Sequence, residues 1–588
     1  MTPSRSSRAR LSVTLLAIFA LVAVFAVRLV DIQVVRADEL NEQSEGKRAV
    51  SVTTHAARGD ILDTNGTPLA DSVMRYDVTA SPQNMGDLDR RLEDGSKVTV
   101  PLMDVVREIA ETLGTDVAAL QARVQKQLTD DPDSNFMYIK QGITAEQMAA
   151  VKALKVPWLY YDNRPSRTYP NGAVAGNLVG FLNTDGPGAG LELTENDCLK
   201  ATNGSSTYER GMDGVQIPGS TVTEKEAVDG GTLQLTIDAD LQWFAQQRIS
   251  EQATAIGADW ATAVVVRVSD GHIMALADYP TVDPNNVDAS NVLDLGSRAF
   301  STPYEPGSTF KGMTAAMLVD QGLADAGTRV TVPGALELSS GDVIQDSFGH
   351  PTMQWTLAGI VQQSSNIGIS MLADGMSDEL RYDYMKKFGL GEETEVDFNG
   401  ESGGILPHHE RWGVTQSANI SFGQGVSTTS AQVASIFQTL GNGGVRMPLT
   451  LVEGCTMPDG TVISPTSEGA RVVSEHAADS SVHMMETVVT GGFLKNQLQI
   501  PGYRVSAKSG TAEWAENGVY TDERVVSIAG VAPAEDPKYA VVVTFGKPDT
   551  IKTSAAAAPT FRKIMTQVLT MYRVPPSTEP APNLPTTW

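Results

Sequence analysis

The sequence has 588 residues, too many for one compact core, and predicts two to four domains. Hydrophobic residues make up 41% and charged residues 19%, which is typical of folded proteins and excludes wholesale disorder. The formal net charge is −26, without the excess of positive charge that nucleic-acid binding requires, so a nucleic-acid partner is excluded.

The first predicted element is an apolar helix near the amino terminus. Three arginines precede an uncharged run at 11–27, which spans about 26 Å as a helix, close to the thickness of a hydrocarbon core. We predict a cytoplasmic tail at 1–10 and a single anchor in the cell membrane at 11–30, with the remaining chain outside the cytoplasm. A cleaved signal peptide is the alternative, although no clear A-x-A site follows the run.

Residues 31–230 are predicted to form an extended module rich in β-structure. Short β-like runs alternate with turns in its first part, and the pair Asn65-Gly66 between two such runs is a hairpin signal. Apolar residues at helical spacing in 102–155 indicate a helical insert.

Residues 231–573 are predicted to form one α+β domain. A strand, a cap at Asp238 and a helix open it, and 261–277 and 525–546 each read as two strands around a turn. Because antiparallel strands lie at both ends with helical stretches between them, we expect one antiparallel sheet beside a helical subdomain. Residues 574–588 hold five prolines and predict an extended tail.

The cysteines and histidines show no metal-site pattern. Cys198 and Cys455 lie far apart, without CxxC or Cys/His ligand spacing, which excludes a disulfide scaffold and a cysteine-based metal site. Whether these two cysteines pair or stay free is open. The seven histidines include no HExxH motif, and His408-His409 is typical of a loop. We expect no metal and no cofactor.

A candidate nucleophile lies in YEPGSTFKG, residues 304–312. Ser308 starts a predicted helix and Lys311 follows three positions later, so the hydroxyl and the amine share a helix face. A serine hydroxyl needs a base, and a lysine is one when burial or a neighbouring charge lowers its pKa. The N–H of Ser308 at the helix start is also suited to an oxyanion. Alone, S-x-x-K is common and normally marks a cap with a surface lysine.

Two further motifs change that interpretation. VQQSSNIGIS holds an S-x-N pattern made by Ser364 and Asn366, which follows Ser308 by 56 residues. In RVSAKSGTAEW, Lys508 follows Ser364 by 144 residues. Its K-S-G-T pattern is made by Lys508, Ser509, Gly510 and Thr511. The order of the three motifs resembles that of serine β-lactamases and penicillin-binding proteins.

These residue types fit acyl transfer. Ser308 would attack an acyl carbonyl while Lys311 takes its proton, and Ser364 would pass a proton to the leaving amine. Asn366 can hydrogen-bond both Lys311 and a substrate amide.

The third motif fits substrate binding. Lys508 supplies positive potential for a substrate carboxylate, and the hydroxyls of Ser509 and Thr511 are donors. Gly510 would let a substrate approach the strand closely. The N–H of Thr511 would be the second oxyanion donor. Removal of a donor of this kind typically raises the activation barrier by about 2.7–4 kcal/mol.

The sequence resembles the class B penicillin-binding proteins from the anchor to about residue 570. Besides the three motifs, the matching stretches are RGDILDTNG (58–66), RTYPNGAVAGNLVGF (167–181), LTIDADLQ (235–242) and DGHIMALADYPTVDPN (270–285). FGLGEETEVDFNGESGGILP (388–407) and SFGQG (421–425) are most similar to the division-specific, FtsI-type branch. Two departures concern the amino-terminal module: Thr64 stands where the family often has arginine, and 190–204 is a loose version of the GxE block.

The resemblance implies a D,D-transpeptidase that cross-links peptidoglycan stem peptides ending in D-Ala-D-Ala, in septal wall synthesis, and that is inhibited by β-lactams. It implies a penicillin-binding transpeptidase fold at 231–573 and a non-catalytic pedestal (dimerisation-like) domain at 31–230. A membrane partner of the SEDS glycosyltransferase type (FtsW-like) and other division proteins are implied as well.

Other functions stay open. An elongation-class transpeptidase would carry the same motifs. A D,D-carboxypeptidase or β-lactamase would also share them, but the E-x-x-x-N loop of class A β-lactamases has no good candidate, since SGGI follows Glu401 and RWGV follows Glu410. A catalytically silent division scaffold would keep the fold, and the complete set of nucleophile, base and carboxylate-binding lysine argues against it.

Overall fold

The computed structural model describes residues 5–40, 49–91, 94–183, 185–209, 217–466, 468–516 and 519–588. Its first helix, α1 (Arg5–Val30), continues as a π-helical turn at Asp31–Val35. The stretch Ala9–Val35 has a mean hydropathy of 2.7, and it is long and apolar enough to cross a membrane. The helix therefore runs past the predicted end of the anchor at residue 30.

The amino-terminal module follows as a series of short strands and helices. In chain order they are β1 (Ala49–Thr54), β2 (Ile61–Leu62), β3 (Pro68–Ala80), β4 (Leu88–Arg91), β5 (Lys97–Val100), α2 (Leu102–Leu113), α3 (Val117–Asp130), β6 (Met137–Ile143), α4 (Ala145–Ala153), β7 (Leu159–Thr168), α5 (Gly176–Val179), β8 (Phe181–Asn183), β9 (Gly186–Ala189), α6 (Gly190–Thr194), α7 (Asn196–Leu199), β10 (Gly204–Glu209) and β11 (Val222–Lys225).

The long strand β3 organises this module. It pairs antiparallel with β6 and with β7, and it joins β2 through a turn in which Gly66 has φ +82°. That turn confirms the predicted hairpin, because glycine adopts positive φ without steric cost. Helices α2, α3 and α4 confirm the predicted helical insert, and their apolar residues form a separate core around Ile109, Val124 and Trp158.

A buried ion network joins three of the stretches that carry the family resemblance. Glu192, which is fully buried, accepts from Arg58 Nε and from Arg167 Nε, both at 2.6 Å. A buried carboxylate is stable only when it is paired and hydrogen-bonded, and two guanidinium groups meet that need here. The loosely matching GxE segment thus supplies the acidic partner of the other two stretches.

The carboxy-terminal region contains the large sheet and most of the long helices. In chain order its elements are β12 (Thr232–Leu235), α8 (Ala239–Ile256), β13 (Trp260–Arg267), β14 (Ile273–Tyr279), α9 (Arg298–Ser301), α10 (Phe310–Asp320), β15 (Arg329–Val332), β16 (Leu336–Glu337), β17 (Val343–Ile344), β18 (Met353–Thr356), α11 (Leu357–Gln363), α12 (Asn366–Ala373), α13 (Asp378–Lys387), α14 (Val414–Ile420), α15 (Ser430–Gly441), β19 (Val445–Arg446), β20 (Val452–Thr456), β21 (Val462–Ile463), β22 (Ala470–Arg471), α16 (Glu475–Gly491), α17 (Lys495–Leu498), β23 (Ser506–Glu516), β24 (Val519–Ala532), β25 (Tyr539–Gly546) and α18 (Ala558–Met571).

One five-stranded antiparallel sheet unites the two ends of this region, as predicted. Its strand order is β14-β13-β25-β24-β23, so β23 lies at an edge. Successive side chains of a strand point to opposite faces, and the valines of β13 show it. Val265 packs with Phe561 of α18 on one face, whereas Val264 and Val266 join the core that contains Met485 of α16 on the other. Helices thus cover both faces.

Two connections tie the amino-terminal module to the carboxy-terminal region. Strand β12 pairs with β2 on one side and with β20 on the other, so one sheet takes strands from both sides of residue 230. Cys198 of α7 and Cys455 of β20 form a disulfide across 257 residues of sequence, which answers the question that their spacing left open. Cross-links over long loops typically stabilise the folded state by about 2–4 kcal/mol.

Candidate active site

The first motif lies where a buried helix begins against the edge strand of the sheet. A 3-10 turn at Gly307–Thr309 leads directly into α10, so Ser308 sits at the helix start, as predicted. Gly307 has φ +55°, and a Cβ there would lie 3.1 Å from the carbonyl oxygen of Thr511. Glycine therefore lets the turn pack on β23 and brings the first motif beside the third.

Lys311 is the centre of the site. It is fully buried in α10, and its Nζ lies 2.9 Å from Ser308 Oγ and 3.1 Å from Ser364 Oγ. The same Nζ donates to the backbone oxygen of Ser364 at 2.5 Å and to Asn366 Oδ1 at 2.7 Å. The structure thus brings the predicted residues of the first and second motifs together around one amine.

The acceptors around Lys311 Nζ determine how its N–H groups are oriented. A neutral amine has two N–H donors and one lone pair, and the Ser364 carbonyl and Asn366 Oδ1 can only accept. The amide of Asn366 is held in this orientation because its Nδ2 donates to the Gln345 carbonyl at 3.0 Å. In the neutral form both donors are then used, and the lone pair is left on the side of the two serine hydroxyls.

Burial and a second lysine favour the neutral form of Lys311. Desolvation, followed by the positive charge of Lys508, holds the pKa of Lys311 well below its ordinary value, and Asp346 opposes this. Desolvation also lowers the pKa of Lys508, to about 7. Desolvation is the cause for both amines, and the charge of Lys508 lowers the pKa of Lys311 further. Burial and the neighbouring charge thus favour the neutral form of Lys311, the form that can act as a base.

The second motif lies between two helices. Ser364 ends α11 in the left-handed region, with φ +59°, and Ser365 caps α12 by accepting from the N–H of Gly368 at 2.9 Å. A left-handed residue at a helix end turns the chain sharply. The turn aims the side chain of Ser364 and that of Asn366 at Lys311, which no helical periodicity of the sequence indicates.

The third motif lies on the edge strand β23. Lys508 is fully buried, and its Nζ lies 2.9 Å from Ser364 Oγ. Ser364 Oγ therefore touches both lysine amines. Ser509 and Thr511 point to the opposite side of the strand and line a cavity of about 380 Å³. The same cavity is lined by Ser308, Ser364, Asn366, Phe422, Gln424 and Phe493.

Gly510 has a packing role in addition to the predicted one. A Cβ at this position would lie 2.4 Å from Ser527 Oγ and 2.9 Å from the Pro306 carbonyl. Those contacts belong to the neighbouring strand and to the turn that precedes Ser308. Glycine is needed here because the Ser527 side chain and the Pro306 carbonyl both approach β23 closely.

A larger cavity lies outside the motifs. Its volume is about 750 Å³, and its lining includes Asp374, Arg381 and Trp412 but none of the eight predicted residues. The convergence of titratable and hydroxyl groups, and not cavity size, distinguishes the smaller cleft as the candidate site.

Asp346 and His350 support the second motif, although neither belongs to a motif that the sequence analysis identified. Asp346 Oδ1 accepts from the backbone N–H of Asn366 at 2.6 Å and of Ile367 at 3.0 Å, so it caps α12. His350 Nε2 lies 2.9 Å from Asp346 Oδ2, and Nδ1 lies 2.7 Å from the Pro351 carbonyl. The two contacts fix the orientation of the His350 ring against Asp346.

Asp346→Ala is expected to lower the maximal acylation rate by about tenfold to a hundredfold, because hydrogen bonds to a charged group contribute about 1.5–3 kcal/mol each. The acid limb of the pH profile should also move to lower pH, since the carboxylate that raises the pKa of Lys311 is gone. The measurement is benzylpenicillin acylation between pH 5 and 9. Asp342→Ala, an exposed carboxylate of the same region, is the matched control and should change neither quantity.

Glu305 connects the first motif to two neighbouring segments. Its Oε1 accepts from the Gly425 N–H and from the Tyr520 hydroxyl, both at 2.8 Å. Burial is the main reason that the pKa of Glu305 is raised. The preceding residue, Tyr304, is buried, and its hydroxyl lies 3.1 Å from Thr544 Oγ1, so it belongs to the core.

Known protein families match both parts of the chain. Residues 261–566, which include all eight predicted site residues, match the penicillin binding protein transpeptidase domain. Residues 53–187 match the penicillin-binding protein dimerisation domain. The predicted α+β fold, in which an amino-terminal module precedes a penicillin-binding transpeptidase domain, is thereby confirmed.

Whole proteins of this family are similar along most of their length. The penicillin-binding protein PbpB of Mycolicibacterium smegmatis is 34% identical over 601 residues, covering 97% of this chain and 91% of PbpB. The peptidoglycan D,D-transpeptidase FtsI of Escherichia coli is 30% identical over 554 residues, covering 93% and 89%. A solved peptidoglycan synthetase from Bifidobacterium adolescentis superposes with a TM-score of 0.71 at 30% identity, covering 92% of this chain and 100% of that one. The chain belongs to the class B penicillin-binding proteins.

Proposed function

We propose that this protein is a division-type peptidoglycan D,D-transpeptidase that cross-links stem peptides through an acyl-enzyme on Ser308. One observation carries the proposal. The buried amine of Lys311 lies 2.9 Å from Ser308 Oγ and also contacts two groups that can only accept, the Ser364 carbonyl and Asn366 Oδ1. Such an amine is a general base for the serine, and a serine with a base in contact is an activated nucleophile.

Acylation follows from this arrangement. Ser308 Oγ forms a bond to the carbonyl carbon of the penultimate D-alanine while Lys311 Nζ takes the hydroxyl proton. The backbone N–H groups of Ser308 and Thr511 hold the resulting oxyanion. As the bond to the terminal D-alanine breaks, its nitrogen takes a proton from Ser364 Oγ, which is replenished from Lys311 at 3.1 Å. Atoms and protons balance, with free D-alanine as the leaving group.

The second half reaction reverses these proton movements. The amine of another stem peptide attacks the acyl carbon and forms the cross-link. Ser364 takes the proton of that amine and passes its own hydroxyl proton to Lys311, and Ser308 Oγ leaves and recovers a proton from Lys311. Asn366 keeps Lys311 oriented in both half reactions because it uses one of the two N–H donors.

Lys508 is assigned to the substrate carboxylate. Its Nζ lies behind the cleft, 2.9 Å from Ser364 Oγ and 3.4 Å from Ser509 Oγ. As an ammonium it would favour the terminal carboxylate of the stem peptide through its charge, with the hydroxyls of Ser509 and Thr511 as the direct donors. A β-lactam carries a carboxylate beside its reactive carbonyl and fits the same contacts. It acylates Ser308 but keeps its leaving group attached, which explains inhibition by this drug class.

The membrane setting and the partners are proposals of the same kind. The arginines that precede the apolar run at 11–27 favour an amino terminus in the cytoplasm and a catalytic domain outside it. We divide the chain into a tail at 1–10, an anchor at 11–30, a pedestal at 31–230, a transpeptidase domain at 231–573 and a tail at 574–588. A SEDS-type glycosyltransferase (FtsW-like) in the same membrane would supply the glycan strands.

The test is the intact mass of the full chain in detergent after incubation with benzylpenicillin. We expect an adduct of one drug mass on the native sequence, none on Ser308→Ala, and an unchanged adduct on Ser301→Ala, whose serine is exposed nearby. An adduct on Ser308→Ala would refute the assignment of the nucleophile. Rapid drug turnover without an adduct would refute the transpeptidase in favour of a hydrolase.

The division role has its own test. Depletion of the protein from its native cells is expected to give filaments or branches, because septal cross-linking fails while elongation continues. Swollen cells would contradict the division role and point to an elongation-class enzyme.

A further inference from the structure

The last residues of the sequence run back along the domain toward the second motif. After α18, the N–H of Ser577 donates to the Gly502 carbonyl and Ser577 Oγ accepts from the N–H of Arg504, both at 2.9 Å. Leu584 then packs against the main apolar core. Residues 584–588, here named the terminal segment, lie beside β18 and the start of α11.

The terminal segment covers one edge of β18. That strand pairs with β15 on its other edge. The N–H of Thr356 donates to the Thr586 carbonyl, and the N–H of Trp588 donates to the Gln354 carbonyl, both at 3.3 Å. The Trp588 ring also lies 5.4 Å from the guanidinium carbon of Arg329 on β15. The predicted extended tail is thus bound to the domain as an additional strand-like element.

The first turn of α11 is shaped to receive this segment. Thr356 caps α11 by accepting from the Gly359 N–H at 3.1 Å, and its Oγ1 donates to the Pro585 carbonyl at 2.5 Å. A Cβ at Gly359 would lie 1.9 Å from the Thr586 carbonyl oxygen. Glycine is disfavoured inside a helix by about 1 kcal/mol relative to alanine. Glycine at position 359 therefore lowers the stability of the helix but leaves room for the Thr586 carbonyl.

Two short routes lead from the terminal segment to the catalytic residues. Helix α11 has seven residues, and the residue that ends it is Ser364. On the other route, the ring of Trp355 lies 5.0 Å from the ring of His350, which contacts Asp346. Asp346 in turn accepts from the N–H of Asn366. Each residue of the S-x-N motif is therefore supported by an element that the terminal segment touches.

We propose that residues 584–588 are a positioning segment for the S-x-N motif. By holding the first turn of α11 and Trp355, they keep Ser364 and Asn366 in contact with Lys311. This role rests on the proposed function, since it concerns the rate at which Ser308 is acylated.

The experiment compares the full chain with a chain that ends at Asn583, using benzylpenicillin and rapid-mixing kinetics that separate initial binding from acylation. We expect the acylation rate constant to fall at least tenfold, with the initial dissociation constant unchanged within twofold, because Lys508, Ser509 and Thr511 keep their places. A peptide of residues 582–588 added in excess should restore the rate. A merely destabilised protein would not respond to the peptide.

Gly359→Ala provides an independent test. In the full chain its methyl group displaces Thr586, so the acylation rate should fall at least fivefold, whereas in the shortened chain the substitution should have no further effect. Gly349→Ala is the matched control, because a Cβ there meets no atom within 4 Å. If the shortened chain does not fold, the proposal is tested by comparing the acylation rates of Gly359→Ala and Gly349→Ala in the full chain.

Three results would overturn the proposal: an unchanged rate in the shortened chain, an unchanged rate in Gly359→Ala of the full chain, or equal effects of Gly359→Ala in both chains. Failure of the native sequence to form any adduct would instead refute the proposed function, so the two failures are distinguishable.

Discussion

Lys311→Met is expected to lower the acylation rate with benzylpenicillin by about 10²–10⁴-fold, the range that a positioned general base contributes. Methionine fills a similar buried volume but has no lone pair suited to a proton and no N–H donor. Ser308 then keeps its proton, and the Ser364 carbonyl and Asn366 Oδ1 lose their shared donor. The measurement is the second-order acylation constant from intact-mass time courses.

Lys311→Arg separates the role of base from that of charge. A guanidinium keeps hydrogen-bond donors and a positive charge, but it does not release its proton at any working pH. Arginine should therefore be as inactive as methionine. Near-native acylation by Lys311→Arg would contradict the assignment of Lys311 as the base. Lys538→Met, which changes an exposed lysine, is the control and should acylate normally.

Lys508 is expected to set the alkaline limb of a bell-shaped pH profile. In the native protein, acylation should rise with pH as Lys311 becomes neutral and should fall as Lys508, with a pKa of about 7, loses the charge that binds the carboxylate. A profile of the second-order constant reports the pKa values of the free enzyme. Benzylpenicillin acylation between pH 5 and 10 measures both limbs.

Lys508→Met should abolish the alkaline limb and lower the maximum by about tenfold to a hundredfold, the worth of one charge-assisted hydrogen bond. The acid limb should move to higher pH, because the positive charge that lowers the pKa of Lys311 is gone. A penicillin methyl ester, which lacks the carboxylate, should be much less sensitive to the substitution. Equal losses for the acid and the ester would show that Lys508 does not bind the carboxylate.

The sequence alone predicted the elements that depend on local chemistry. The apolar run of α1, the turn at Gly66 and the helix cap at Asp238 are each defined by a few neighbouring residues, and each is found in the structure. The three motifs are also short local patterns, and their order along the chain made them recognisable. Their chemistry could be read in advance because a serine, a lysine and an amide have the same functions wherever the chain places them.

The tertiary structure decided everything that joins distant parts of the chain. The contact of Ser364 with both Lys311 and Lys508, the disulfide across 257 residues and the cap of α12 by Asp346 have no local signature. A single aspartate or a pair of cysteines is compatible with many environments. Only the packing of the sheet and its helices fixes which groups meet and which are desolvated, and those two factors determine pKa and geometry.

The carboxy-terminal residues illustrate the same division. Proline content predicted an extended conformation, because proline fixes its own backbone and removes a donor. Composition does not show where an extended chain lies. In the folded protein, Gly359 leaves room for the Thr586 carbonyl, and that contact places the end of the sequence one short helix away from Ser364.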